Sequence, residues 1–239
     1  MDGTSVSPQE LYARLGTAAA PVLVDVRRAE AFGADDAVII GAMHRPPESV
    51  SDWRAGLPKN REVVVYCVHG HDVSQGVAKT LQNAGIKAAY LEGGIAGWKE
   101  RQLPTRRKRD ASENKWVTRE HPKIDRIACP WLISRFVNPG AEFIYVPPND
   151  VAKVAADVGG TAYDIAGVEF GHVGERCSFD AIVRAYDIQD PALAHLATIV
   201  RGADTSRPDL MPQCEGCLRS LMACRPTSAM TTTCSSTAW

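Results

Sequence analysis

The segment Cys67-Val68-His69-Gly70-His71-Asp72-Val73 places a thiol directly after the apolar run Val63-Val64-Val65-Tyr66. It also lies ahead of a stretch in which Val73, Val77, Leu81 and Ala84 recur at helical spacing. A cysteine between a buried strand and a helix start sits where successive backbone N–H groups and the positive end of the helix dipole converge. Both favour an anion there, so the position suits a thiolate or a persulfide. The competing reading is a small buried residue that ends a strand and does no chemistry. A second, looser set comprises Arg126, Cys129, Glu169, His172, Cys177 and Asp204. Cys129-Pro130 reads as a helix start near Arg126, which favours a thiolate, and the others are chemically able to hold a metal or an oxyanion. No spacing among them is a ligand signature, so ordinary packing and capping compete, and no metal or cofactor is assigned. Cys214-x-x-Cys217 resembles half of a zinc motif, but the second pair at matching spacing is missing.

The elements around Cys67 alternate. Ser7-Pro8-Gln9-Glu10 has the pattern of a capping box with proline in the first turn and predicts a helix to about residue 15. Val22-Leu23-Val24-Asp25-Val26 and residues 63–66 are nearly continuous apolar runs, as expected of strands buried on both faces of a parallel sheet. A helix follows Cys67 and ends at Gly85, residues 88–91 form a third strand, Gly93-Gly94 a turn and residues 95–99 a short helix. The fold class expected is α/β, a parallel sheet with helices on both faces. In such sheets ligands meet the carboxyl ends of the strands, which is where Cys67 stands.

Asp25-Val26-Arg27, Glu30-Ala31-Phe32, Gly41-Ala42, Val65-Tyr66-Cys67 with Gly70, and Leu91-Glu92-Gly93-Gly94-Ile95-Ala96-Gly97-Trp98 together resemble the single-domain rhodanese pattern. The resemblance implies a sulfurtransferase in which Cys67 takes the outer sulfur of a donor and passes it to a nucleophilic acceptor. It implies donor binding by the loop Val68, His69, Gly70, His71, Asp72 and Val73, and organising roles for Asp25 and Arg27. One position departs: rhodanese loops often read Cys-x-x-Gly-x-Arg, and here the sixth residue is Asp72, with His69 and His71 as partial replacements for the cation. Phosphatases and arsenate reductases sharing this fold need an arginine six residues after the cysteine, where this chain has Val73.

Beyond a polar, basic linker at residues 106–120, a second, smaller mixed α/β domain is expected over 121–206. Its helices are read as opening at Cys129-Pro130, running over 151–158, capped by Ser178, and running from Asp190-Pro191 to Gly202, with a strand at 143–146. The segments Lys123-Ile124-Asp125-Arg126-Ile127-Ala128-Cys129-Pro130-Trp131-Leu132, Tyr163-Asp164-Ile165 to Val168-Glu169-Phe170, Cys177-Ser178-Phe179-Asp180 and Ile199-Val200-Arg201-Gly202-Ala203-Asp204-Thr205 resemble the carboxyl-terminal domain of ChrB-type chromate-resistance proteins. That family implies a link to chromate or oxyanion stress. ChrB regulators carry a DNA-binding domain in the place that the rhodanese-like half takes here, so transcriptional control is not expected. The tail, 207–239, holds Cys214, Cys217, Cys224 and Cys234 and a Ser/Thr-rich stretch, and reads as atypical, disordered or altered in reading frame.

A formal net charge of −1 gives no electrostatic reason to expect nucleic acid or a membrane as partner. No apolar run reaches the roughly 18 residues of a spanning helix, and the start lacks a signal-peptide pattern. Seven cysteines, an odd number, fit reduced thiols in the cytoplasm. The expected partners are a small-molecule sulfur donor and a thiol acceptor. The competing class is a catalytically idle rhodanese fold in an oxyanion-sensing or partner-binding protein.

Overall fold

The computed structural model describes residues 4–109, 114–121 and 123–223. The N-terminal half contains β1 (Ser5–Val6), α1 (Pro8–Arg14), β2 (Val22–Asp25), α2 (Ala29–Gly33), β3 (Ala37–Ile39), β4 (Ala42–His44) and α3 (Val50–Trp53). It continues with β5 (Val63–Tyr66), α4 (Asp72–Asn83), β6 (Ala88–Leu91), α5 (Gly94–Glu100) and β7 (Thr105–Arg107). Five strands form one sheet in the order β1-β6-β5-β2-β4, every pair parallel. All four residues of β2 and of β5 are buried, as their apolar runs require. The sheet has a core on each face. Leu23, Val64, Tyr66 and Ala89 join Leu11 and Trp98 on one side. Val22, Val24, Val63 and Val65 join Val77 and Leu81 of α4 on the other. At α1 the capping box is complete: Ser7 accepts from the Glu10 N–H, and the Glu10 carboxylate accepts from the Ser7 N–H at 3.0 Å.

The second half contains β8 (Lys115–Arg119), α6 (Asp125–Leu132), β9 (Glu142–Val146), α7 (Val151–Asp157), β10 (Thr161–Ala162), α8 (Ser178–Ala185), α9 (Pro191–Asp204) and α10 (Gln213–Ala223). Its sheet is three-stranded and parallel, β10-β8-β9. Several sequence expectations change here. The span read as a linker contains the central strand β8, whose Trp116, Val117 and Thr118 are fully buried between polar ends. Helix α6 starts at Asp125, so Cys129 lies inside it and Pro130 interrupts it. Proline cannot donate to the carbonyl four residues back, and the Tyr145 hydroxyl reaches that Arg126 carbonyl at 3.5 Å instead. A π-helical stretch, Ile133–Val137, follows the proline. Cys177, not Ser178, is the N-cap of α8, its sulfur accepting from the Asp180 N–H while the Asp180 carboxylate accepts from the Cys177 N–H at 3.1 Å. Gly202 does not end α9, which runs on to Asp204; α10 packs against that helix so closely that a Cβ at Gly202 would collide with the Cys214 sulfur. Cys214 is thus buried against α9, while Cys224, Cys234 and the Ser/Thr-rich stretch lie outside the described residues.

The two halves share packing. Ile40, next to β3, is buried within the core of the second half, and the Gly41 N–H donates to the Phe136 carbonyl at 2.9 Å. Gly41 has φ +74, and a side chain there would strike the Arg135 carbonyl, so this turn needs glycine. The Tyr12 hydroxyl donates to Asp190 at 2.7 Å. The basic start of the span read as a linker is structured as well. β7 pairs with β3, the Arg107 N–H donates to the Tyr186 carbonyl at 2.7 Å, and the Arg109 guanidinium lies 5.4 Å from the Phe170 ring centre and 5.7 Å from that of Tyr186.

Candidate active site

Cys67 leaves the carboxyl end of β5 and the chain turns through Gly70 into α4. Gly70 has φ +73, and a Cβ there would sit 2.6 Å from the Leu91 carbonyl oxygen. A Cβ at Gly94 would collide with the Cys67 and Val68 carbonyls. Both glycines therefore let the loop lie directly on the start of α5, whose Ile95 and Ala96 N–H groups donate to those two carbonyls at 3.0 Å each. The loop is clamped from behind and its N–H groups face forward.

Burial alone pushes the Cys67 thiol up. The Ser74 hydroxyl, 3.2 Å from the sulfur, and the backbone N–H groups of Ser74, His71 and Gly70 outweigh it, and the thiol titrates below its ordinary range. Ser74 is fully buried in the first turn of α4 and its hydroxyl also reaches the His71 carbonyl at 3.2 Å. Sequence reasoning passed over Ser74; the signal was a hydroxyl seven positions after the cysteine, on the helix turn facing it.

In front of Cys67 lies a cleft of about 260 Å³ lined by Arg27, Arg28, Ala31, Val68, His69, His71, Asp72 and Val73. The loop residues expected at the site are thus together. Gly70 is buried and supports the turn; His69, His71 and Asp72 are exposed. Arg27, at the wall of the cleft, is 1% exposed and fixed by Asp25 at 2.6 Å, Asp35 at 2.9 Å and the Ala37 carbonyl at 2.9 Å. A buried ion pair of this kind fits the organising role expected of Asp25 and Arg27. Arg28 is new. Its side chain is 72% exposed, its acidic neighbour Glu48 is 4.0 Å away, and it brings a cation to the cleft from the end of β2.

The second set of candidates divides. His172, Cys177 and Asp204 converge with Asp125, Asp164 and Arg126. The His172 Nε2 lies 3.3 Å from Asp125, 3.4 Å from Asp164 and 3.2 Å from Asp204. Arg126 pairs with Asp164 at 3.1 Å. Hydrogen bonding to Asp125 raises the His172 pKa against the opposing effect of burial, and burial followed by the Asp125 charge raises that of Asp204. Glu169 is elsewhere, exposed and paired with Arg109 at 2.8 Å. The thiolate expected at Cys129 is not supported. It is fully buried in mid-helix, and burial together with the charges of Asp125, Asp164 and Asp204 keeps it a neutral thiol. Asp125 and Asp164 were missed as site members because each comes from a different segment; Asp164 also holds φ +54, a conformation with no sequence signal.

Comparison with known proteins follows the same division. The family model of the rhodanese-like domain matches residues 7–101, and that of the ChrB C-terminal domain matches residues 116–235. The chain is 34% identical over 126 residues to Protein ChrB of Cupriavidus metallidurans, a match covering 51% of this chain but 36% of that protein. It therefore spans about a third of that relative. A thiosulfate sulfurtransferase GlpE of Tolumonas auensis is 35% identical over 78 residues, covering 32% of this chain and 71% of GlpE. Among solved structures, a rhodanese-like domain protein from Staphylococcus aureus matches at 28% identity and a TM-score of 0.36, over 40% of this chain and 90% of its own. No helix among the described residues is long and apolar enough to cross a membrane. The chain belongs to the rhodanese-like domain family over residues 7–101 and to the ChrB C-terminal domain family over residues 116–235.

Proposed function

We propose that the protein is a sulfurtransferase that carries sulfane sulfur as a Cys67 persulfide. The observation that carries this reading is the thiol itself, held below its ordinary pKa by the Ser74 hydroxyl and three backbone N–H groups at the mouth of a cleft. In the first half-reaction the Cys67 thiolate attacks the outer sulfur of a donor. The new S–S bond forms as the donor's own bond to that sulfur breaks, and the leaving group, sulfite from thiosulfate or a thiolate from a persulfide, departs with the electron pair. The same N–H groups that hold the thiolate then face the terminal sulfur anion. In the second half-reaction an acceptor thiolate attacks that outer sulfur, the acceptor becomes a persulfide, and Cys67 leaves as thiolate.

Arg28 supplies the cleft with positive charge, whereas Asp72 opposes a dianionic donor. A less highly charged persulfide therefore fits better than thiosulfate as the working donor, with a small thiol as acceptor. Asp72 is also the one observation favouring an idle, partner-binding domain, and the retained thiolate cradle argues against it. A persulfide carrier with free thiols suits a reducing cytoplasm. The fused ChrB-type domain links the activity to chromate or oxyanion stress. The test is sulfur transfer from thiosulfate and from a low-molecular-weight persulfide to a thiol: Cys67→Ser should lose at least about a thousandfold in kcat/KM with both donors, since the covalent intermediate is gone. Activity retained in that variant would overturn the reading.

A further inference from the structure

Three carboxylates in the second half each place one oxygen within 3.4 Å of the His172 Nε2, and Asp164 and Asp204 are held by their other oxygens. Asp164 has Oδ2 fixed by Arg119 at 2.9 Å and by Arg126 at 3.1 Å, leaving Oδ1 toward the His172 Nε2. Asp204 has Oδ1 accepting from the Asp125 N–H at 3.3 Å, leaving Oδ2 toward the same nitrogen. Asp125 has Oδ2 accepting from the Ser178 N–H at 2.6 Å and lying 3.3 Å from Nε2. Its Oδ1 is buried and has no hydrogen-bond partner, in a residue only 1% exposed. A buried carboxylate oxygen without a partner is costly, and a bound cation is a standard way to satisfy one.

We propose that Asp125, Asp164 and His172, whose ligand atoms lie within 4.8 Å of one another, form a binding site for one divalent first-row transition-metal ion, ligated by the two carboxylates and the His172 Nε2, with Asp204 flanking it 3.2 Å from that nitrogen. Spacing supports this. Ligands bound at roughly 2.0–2.2 Å lie about 3.0–3.5 Å from one another around a tetrahedral or octahedral ion, and the Asp125 and Asp164 oxygens stand 3.3 and 3.4 Å from Nε2. One imidazole among hard carboxylates favours ions such as Mn²⁺ or Fe²⁺ over softer ions that select thiolates. The arginines and backbone N–H groups behind the carboxylates orient them as outer-shell partners orient ligands in metal sites. His172, 40% exposed, gives the ion a way in from solvent.

The experiment is a Mn²⁺ titration of the full chain after dialysis against chelator, following loss of the free Mn²⁺ electron paramagnetic resonance signal. Wild type should bind one ion per chain at micromolar Mn²⁺. His172→Ala, at a partly exposed position, and Asp204→Asn should each bind at least about tenfold more weakly, with native circular dichroism confirming the fold. Cys67→Ser should bind as wild type does, which separates this site from sulfur chemistry. Failure of wild type to bind, or equal binding by both cluster variants, would overturn the proposal.

Discussion

Cys177 caps α8 and Cys67 stands in the loop five residues ahead of α4, and both sulfurs face backbone N–H groups at the start of their helix. They nonetheless titrate in opposite directions. Around Cys67 the immediate groups are donors, namely the Ser74 hydroxyl and the Gly70, His71 and Ser74 N–H groups, and they overcome burial. Around Cys177 burial is joined by the charges of Asp125 and Asp180, which outweigh its single backbone hydrogen bond and push the thiol far up. A helix N-terminus by itself therefore does not make a reactive cysteine. What decides is whether the remaining neighbours are donors or anions, and here one sits on a substrate cleft while the other caps a helix beside three aspartates.

The comparison is broken most easily by alkylation. At neutral pH in the native protein, iodoacetamide should modify Cys67 at least about a hundredfold faster than Cys177 or Cys129, because rate follows thiolate fraction and access. Site-resolved peptide mass spectrometry reads the ratio, and comparable rates would remove the distinction. Asp72 sharpens it at the next scale. A unit charge roughly 6 Å from a donor is worth about 3 kcal/mol at an effective dielectric near 20 and about 0.7 kcal/mol in water. Asp72→Arg should therefore raise kcat/KM for dianionic thiosulfate about tenfold and for a persulfide less, with the difference shrinking at high salt. Equal gains for both donors would mean that Asp72 does not act on donor charge. Ser74→Ala is the smallest effect. Removing one of four donors should raise the midpoint of the Cys67 alkylation–pH profile toward that of a free thiol and slow persulfide formation about threefold at neutral pH. An unshifted midpoint would leave the backbone N–H groups as the whole cause.

The parts of the site that could be read in the sequence are those built from contiguous chain. Residues 63–73 carry strand, nucleophile and helix start in one stretch, and the glycines at 70, 93 and 94 mark the backbone contacts that the structure contains. Ser74, seven positions after the cysteine, becomes readable only once α4 is known to turn that hydroxyl toward the sulfur. The centre on His172 was only half visible because its acids come from α6, a loop and the end of α9, and no local spacing records their meeting. Strand β8 was lost in a polar span because three buried residues between Lys115 and Arg119 are too short a run to stand out. The contacts between the halves, such as Ile40 in the second core, depend on tertiary packing that a pattern of apolar residues cannot specify.

The most direct test is to locate the transferred sulfur. After brief incubation with a persulfide donor, trapping and digestion, one added sulfur atom should appear on the peptide containing Cys67, while those containing Cys129 and Cys177 remain unmodified. Sulfur found on Cys177 or Cys129, or on no cysteine with any donor, would contradict the account.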